Sequence, residues 1–144
     1  MNPVDLAQLD LMENFPGLRV QFPCHSCTGT AASAVVYFEV DPGAHLPTHT
    51  DSSEEILLVL AGEGEAWIGD EAAPIAEGQM AVVPAMAPHG IRNVGPEVLR
   101  VVGFFAGSTV VHTFPETPEG PQMFVTGAPL PIATPLEQPS TVAV

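Results

Sequence analysis

The pattern of apolar and polar positions changes period once along the chain, near Pro16. Before it, Leu6, Leu9, Leu11 and Met12 recur between Asp5 and Asn14, a spacing that predicts one or two helical turns lying on the domain body. After it, LRVQF (18–22) and SAVVYFEV (33–40) are rich in β-branched and aromatic residues, and Asp41-Pro42-Gly43 breaks the chain as a turn. Further strands are predicted at EILLVL (55–60), EAWI (65–68), 74–76, 80–83, 89–94, VLRVVGFF (98–105) and TVVHTF (109–114). Gly69-Asp70 reads as a two-residue hairpin loop. Short strands with Gly and Pro punctuation, and no long helical pattern between them, predict an all-β sandwich or small barrel. From Gly127 the chain reads GAPLPIATPLEQPSTVAV, and its four prolines predict an extended arm. The expected organisation is a segment over 1–17, a β-barrel over 18–126 and a Pro-rich arm over 127–144.

Composition narrows this picture. The 144 residues suit one domain, large enough to fold without staples. Three arginines (Arg19, Arg92, Arg100) face seventeen acidic residues, there is no Lys, and the formal net charge is −14. Such a chain offers no basic footprint for nucleic acid and is repelled by anionic membrane surfaces. The same scarcity of cations favours a neutral or weakly anionic ligand, unless a metal ion binds the anion. No apolar run reaches membrane-span length, and the first residues lack the basic start of a secretory signal, so the cytoplasm is the expected location. Cys24 and Cys27 form a lone CxxC; without a second pair or a strand-to-helix setting they are expected to be ordinary reduced thiols, with a redox pair or a place beside His25 at a pocket mouth as the alternatives.

Candidate chemistry concentrates in GAHLPTHTDSSEEILLVLAG (43–62) and GQMAVVPAMAPHGIRN (78–93). His49, Asp51 and Glu55 share odd parity with Leu57 and Val59, so in a strand they point to the apolar, inward face. An inward His and Glu among apolar residues is costly unless paired or metal-bound. His89 opens a strand of the second segment and is expected to face the same interior. Two imidazoles and a carboxylate from separate hairpins form a set suited to iron(II) and related ions. The alternative is a barrel that uses these residues as a hydrogen-bonded core.

The two segments resemble the signature motifs of the cupin superfamily. Gly43, five residues, His49-Thr50-Asp51, three residues, Glu55, six residues and Gly62 follow the first motif; Gly78, five residues, Pro84-Ala85-Met86, two residues, His89, three residues and Asn93 follow the second. The resemblance implies a double-stranded β-helix, or jelly-roll, barrel. There are two departures: Met86 stands where the family has a turn glycine, and Asp51 replaces the second histidine of the first motif. The pattern is similar to that of cupin dioxygenases that hold iron with two His and one Glu. By that resemblance His49, Glu55 and His89 are the metal ligands, and Asp51 is a fourth ligand, a partner or base beside the metal, or a solvent-facing residue.

The resemblance implies one divalent ion per chain, Fe2+ first, with Mn2+, Ni2+, Zn2+ and Cu2+ as alternatives. It implies a dioxygenase or oxygenase acting on a small polar molecule, with Asp51 and Glu55 as candidate catalytic groups. A non-redox isomerase, cyclase or lyase, and a non-catalytic binding module, are the other readings. It also implies a homodimer pairing sheet to sheet. Candidate pocket residues are His45, Trp67, Met80, Met86, Arg100 and Phe104; His45 is equally a candidate for an exposed position. Arg92 is expected to point away, and His112 to be a satisfied core or surface histidine.

Overall fold

The computed structural model describes residues 1–128. Twelve strands form two antiparallel six-stranded sheets, consistent with a cupin jelly-roll. One sheet runs β1 (Met12–Phe15), β2 (Leu18–Cys24), β3 (Ala34–Val40), β10 (Leu99–Phe105), β5 (Glu55–Ala61), β8 (Met80–Val83). The other runs β12 (Gln122–Thr126), β11 (Val110–Phe114), β4 (His45–Asp51), β9 (His89–Asn93), β6 (Glu63–Ile68), β7 (Glu71–Ala76). The runs β3–β10–β5–β8 and β11–β4–β9–β6 pair strands that are distant in sequence, as a jelly-roll requires. Among the described residues, no helix is long and apolar enough to cross a membrane.

The core lies between the sheets, and strand parity decides who enters it. On β3 the inward set is Val36, Phe38 and Val40; on β10 it is Leu99, Val101, Gly103 and Phe105. Leu57 and Val59 of β5, Ile91 of β9 and Val110 and Phe114 of β11 complete it. The Gly69-Asp70 loop joins β6 to β7 as expected, pairing Ile68 with Glu71.

The N-terminal segment is helical only over Leu6–Gln8, a 3₁₀ turn capped by the Asp5 carboxylate on the Ala7 N–H. Met12 to Asn14, expected in the helical stretch, instead belong to strand β1, because Met12 pairs with Val20 and Phe15 with Leu18. Strands β4 and β12 escaped the sequence pattern, since His45–Asp51 and Gln122–Thr126 each mix polar residues or Pro into the run. The arm expected from residue 127 falls, beyond Ala128, outside the described residues.

Two motif positions serve the fold. Asn93 is buried and saturated: its amide donates to the Val40 and Glu97 carbonyls at 2.8 and 2.7 Å, and its oxygen accepts from the Gly95 N–H. Met86 adopts the left-handed conformation (φ 66°) at which the family has glycine, and its N–H donates to the Asp51 carbonyl. The turn is kept despite a steric cost of about 1–2 kcal/mol for a side chain there.

Candidate metal centre

The inward parity of β4, β5 and β9 brings His49, Asp51, Glu55 and His89 to one point inside the barrel, all almost fully buried. His49 and His89 are direct cross-strand partners, and their rings lie 4.2 Å apart. Glu55 reaches the cluster across β10, where Gly103 leaves the space: a Cβ at that glycine would stand 2.2 Å from Glu55 Oε2. No branch of the backbone is needed to explain this glycine; the carboxylate occupies the volume a side chain would fill.

Both imidazoles are locked in the same tautomer. His49 Nδ1–H donates to the Pro47 carbonyl at 2.8 Å and His89 Nδ1–H to the Ala87 carbonyl at 2.9 Å. The lone pairs of both Nε2 atoms therefore face the interior, as in metal-ligating histidines oriented by a backbone carbonyl. Asp51 Oδ2 lies 3.1 Å from His89 Nε2 and 3.5 Å from His49 Nε2, and Glu55 Oε1 lies 3.3 Å from His89 Nε2. Asp51 Oδ2 and His89 Nε2 are fully buried without a hydrogen-bond partner. Acceptors converging on acceptors are repulsive unless a cation or a proton stands between them. His49, Asp51 and His89 each offer a ligand atom within 4.8 Å of the others, so the donor set fits a divalent ion.

The electrostatics carry the same message. Burial opposes ionisation of Asp51, but His112, His49 and His89 outweigh it and hold its carboxyl well below the usual range. Glu55 is pushed upward, first by burial and then by the Asp51 charge, with His89 opposing. Burial disfavours the His89 imidazolium, yet Asp51 and Glu55 overcome this and raise it to about 10. Without a metal ion, a proton on His89 takes the cation's place, and metal binding has to release it.

His112, expected to be a satisfied core or surface histidine, is buried with both ring nitrogens paired, and one of its partners belongs to the cluster. It faces Asp51 across the β11–β4 pair, with Nδ1–H donating to Asp51 Oδ1 at 2.6 Å. Its Nε2 accepts from the Thr126 hydroxyl at 2.7 Å on β12. The signal was its inward parity with Val110 and Phe114, visible in TVVHTF; what the sequence did not carry was that β11 lies beside β4. Asp51 thus turns one oxygen to the cluster and the other to His112.

The cluster opens into a cavity of about 460 Å³, whose floor includes His49, Glu55 and His112. Its walls include Phe15, Phe22, Phe38, Phe105 and Phe114, with Phe114 stacked on the His49 ring at 4.6 Å. Gln21, His25 and Cys27 also border it. Cys24 and Cys27 are free thiols.

None of the six expected pocket residues faces this cavity. Phe104 is 44% exposed on the outer face of β10, because the inward parity belongs to Phe105. Met80 is 64% exposed, on β8 opposite Leu58, and Met86 sits on the exposed turn after Pro84. Arg100 lies outside the barrel, its Nε donating to the Tyr37 hydroxyl at 2.7 Å. Trp67 lies on the outer face over Gly90, donating to Thr48 Oγ1, with the Arg92 guanidinium 5.7 Å from its ring centre. His45 is exposed in the same outer groove, and Arg92 points outward as expected.

Comparison with known proteins agrees with this architecture. A family model described as "Cupin domain" matches residues 36–105. No curated protein matches the chain in sequence. Among solved structures, an oxalate decarboxylase of Lactobacillus farciminis superposes with TM-score 0.66 at 22% identity, over 72% of this chain and 32% of that one. The Cnp3 cupin domain of Schizosaccharomyces pombe gives 0.64 at 18%, covering 73% of each chain. The polyketide cyclase RemF of Streptomyces resistomycificus gives 0.63 at 20%, over 73% of this chain and 78% of that one. This chain therefore spans about a third of the decarboxylase's length. With both signature motifs at their spacing, the jelly-roll around them and the domain model across their strands, residues 36–105 of this chain form a cupin domain.

Proposed function

We propose that this chain is a metal-dependent cupin enzyme acting on a small organic molecule, with oxygenase chemistry at an iron(II)-type centre as its reaction class. One observation carries the reading: two carboxylates and two imidazole Nε2 atoms converge in a buried site, and Asp51 Oδ2 and His89 Nε2 are left there without hydrogen-bond partners. His49, Asp51, Glu55 and His89 would hold the ion. When bound, a divalent metal supplies Lewis acidity and open coordination positions, and iron(II) adds oxygen chemistry. The chain's own residues do the rest. Glu55 and His49 form part of the cavity floor, so a molecule in the cavity meets the ligands directly. The phenyl walls exclude water, and His112 fixes the Asp51 carboxylate.

A second reading, non-redox isomerisation, cyclisation or lyase chemistry, is favoured by Glu55, a buried carboxyl that lines the cavity and suits proton transfer. Elemental analysis of protein purified without chelators, followed by oxygen-electrode assays with aromatic diols, separates the readings. Stoichiometric iron with oxygen uptake is expected. Turnover without oxygen uptake selects the second reading. A metal-free protein that cannot be reloaded removes both and leaves a binding module.

We also propose a homodimer formed through the outer face of the first sheet. Phe104, Ile56 and Val82 are exposed and directly opposite one another across β10, β5 and β8. This charge-free stripe lets two chains of net charge −14 meet without bringing carboxylates together. Light scattering on the eluted protein should give twice 15.1 kDa; a clean species at 15.1 kDa ends the idea.

A further inference from the structure

We infer that the ligand of this cavity is a neutral molecule with a flat aromatic body, presenting hydroxyl or carbonyl oxygens to the floor, and not a small carboxylate or a sugar acid. The inference deepens the metal-centre reading and rests on it for the charge of the floor.

The first support is the wall. Six of the chain's seven phenylalanines border the cavity; the exception is Phe104. Three of their rings continue the cluster outward: Phe114 stacks on His49, Phe15 lies 5.1 Å from Phe114 and Phe124 lies 5.8 Å from it. Offset and edge-on ring contacts at these separations are the geometry that a further aromatic ring would extend. The volume of about 460 Å³ falls within the range of small-molecule sites, about 300–1,000 Å³, and a two-carbon acid would leave most of it empty.

The second support is charge. Specific anion recognition without a metal takes an Arg or Lys, and all the cationic side chains are engaged outside. Arg19 pairs with Asp41 and Glu39, Arg92 with Glu65 and the Trp67 ring, and Arg100 with Tyr37. A divalent ion held by Asp51, Glu55 and two neutral imidazoles has its charge cancelled, since +2 meets two carboxylates. An anion arriving at such a floor gains little, and it approaches a protein of net charge −14. A neutral diol or hydroxy-ketone loses nothing by comparison and gains the phenyl walls.

The test uses Mn(II)-loaded protein and isothermal titration with two probes, 2,3-dihydroxynaphthalene and oxalate. The naphthalenediol should bind at least about tenfold more tightly than oxalate. Val20→Trp, which fills the cavity from a half-buried wall position away from the cluster, should weaken the diol at least about tenfold while Mn(II) content stays unchanged. Phe22→Ala, which removes wall without adding bulk, should weaken it several-fold and serves if the first variant does not fold. Oxalate binding as tightly as the diol, or diol binding indifferent to both substitutions, overturns the inference. Diol binding by a protein that takes up no Mn(II) leaves the aromatic wall standing and removes the metal reading. Binding of neither probe overturns the inference.

Discussion

Two polar networks on this barrel have the same raw materials and opposite states. On the outside of β2, β3 and β10, Arg19 donates twice to Asp41 and once to Glu39, Tyr37 donates to Glu39 at 2.6 Å, and Arg100 donates to Tyr37. Every carboxylate there has a donor. On the inside of β4, β5 and β9, two carboxylates and two imidazole Nε2 atoms face each other, and Asp51 Oδ2 and His89 Nε2 have no hydrogen-bond partner. The outer network is complete as built from the chain alone; the inner one needs a metal ion, or a proton in its place. Burial sharpens the contrast. Outer charges are screened by water, so their pairing matters little, while an unmatched inner charge costs several kcal/mol.

The largest effect on this contrast comes from removing an inner acceptor. His49→Ala or His89→Ala should abolish stoichiometric metal binding while far-ultraviolet circular dichroism stays that of the folded barrel; full metal occupancy in both variants would show that the ligands are elsewhere.

Gly103→Ala follows, because its Cβ would occupy the Glu55 carboxylate's position and push it from the cluster. Metal affinity should fall by about a hundredfold, read by competition with a chromogenic chelator. Unchanged affinity with an intact fold would mean that Glu55 contributes nothing to the centre.

His112→Ala should weaken metal binding by about tenfold through the loss of the bond that fixes Asp51, and should alter the electron paramagnetic spectrum of bound Mn(II). His112→Asn, whose amide can donate where Nδ1 did, should restore much of the affinity. If alanine and asparagine behave alike, His112 is only packing.

The smallest effect is expected from the outer network. Arg100→Met should cost less than about 1 kcal/mol in urea unfolding and leave metal content unchanged, since the guanidinium is part-exposed and no donor to the centre. A large loss of metal would tie the two networks together in a way their separation by β10 does not predict.

Much of the architecture was legible because it depends on local pattern. Strands β3, β8 and β10 follow from β-branched and aromatic runs bounded by Gly or Pro, and the β6–β7 hairpin from Gly69-Asp70. The cluster was legible because parity is a local property: His49, Asp51 and Glu55 had to share the face of Leu57 and Val59. The pocket was not legible. Phe104 and Phe105 are indistinguishable by composition, and one residue of register sends one to solvent and the other to the cavity. Trp67, Arg100 and Met80 suit a binding site by type, yet each lies on the outer face of its strand.

The sequence by itself determined that this is a cupin barrel and which side chains arrive at its centre, because motif spacing and strand alternation are written in consecutive residues. Only the tertiary structure decided that β11 lies against β4, so that His112 claims one oxygen of Asp51, and that the cavity is walled by phenylalanines from strands far apart in the chain. Those choices belong to strand order, and strand order is fixed by which apolar faces can close on one another in three dimensions, not by any neighbouring residues in the chain.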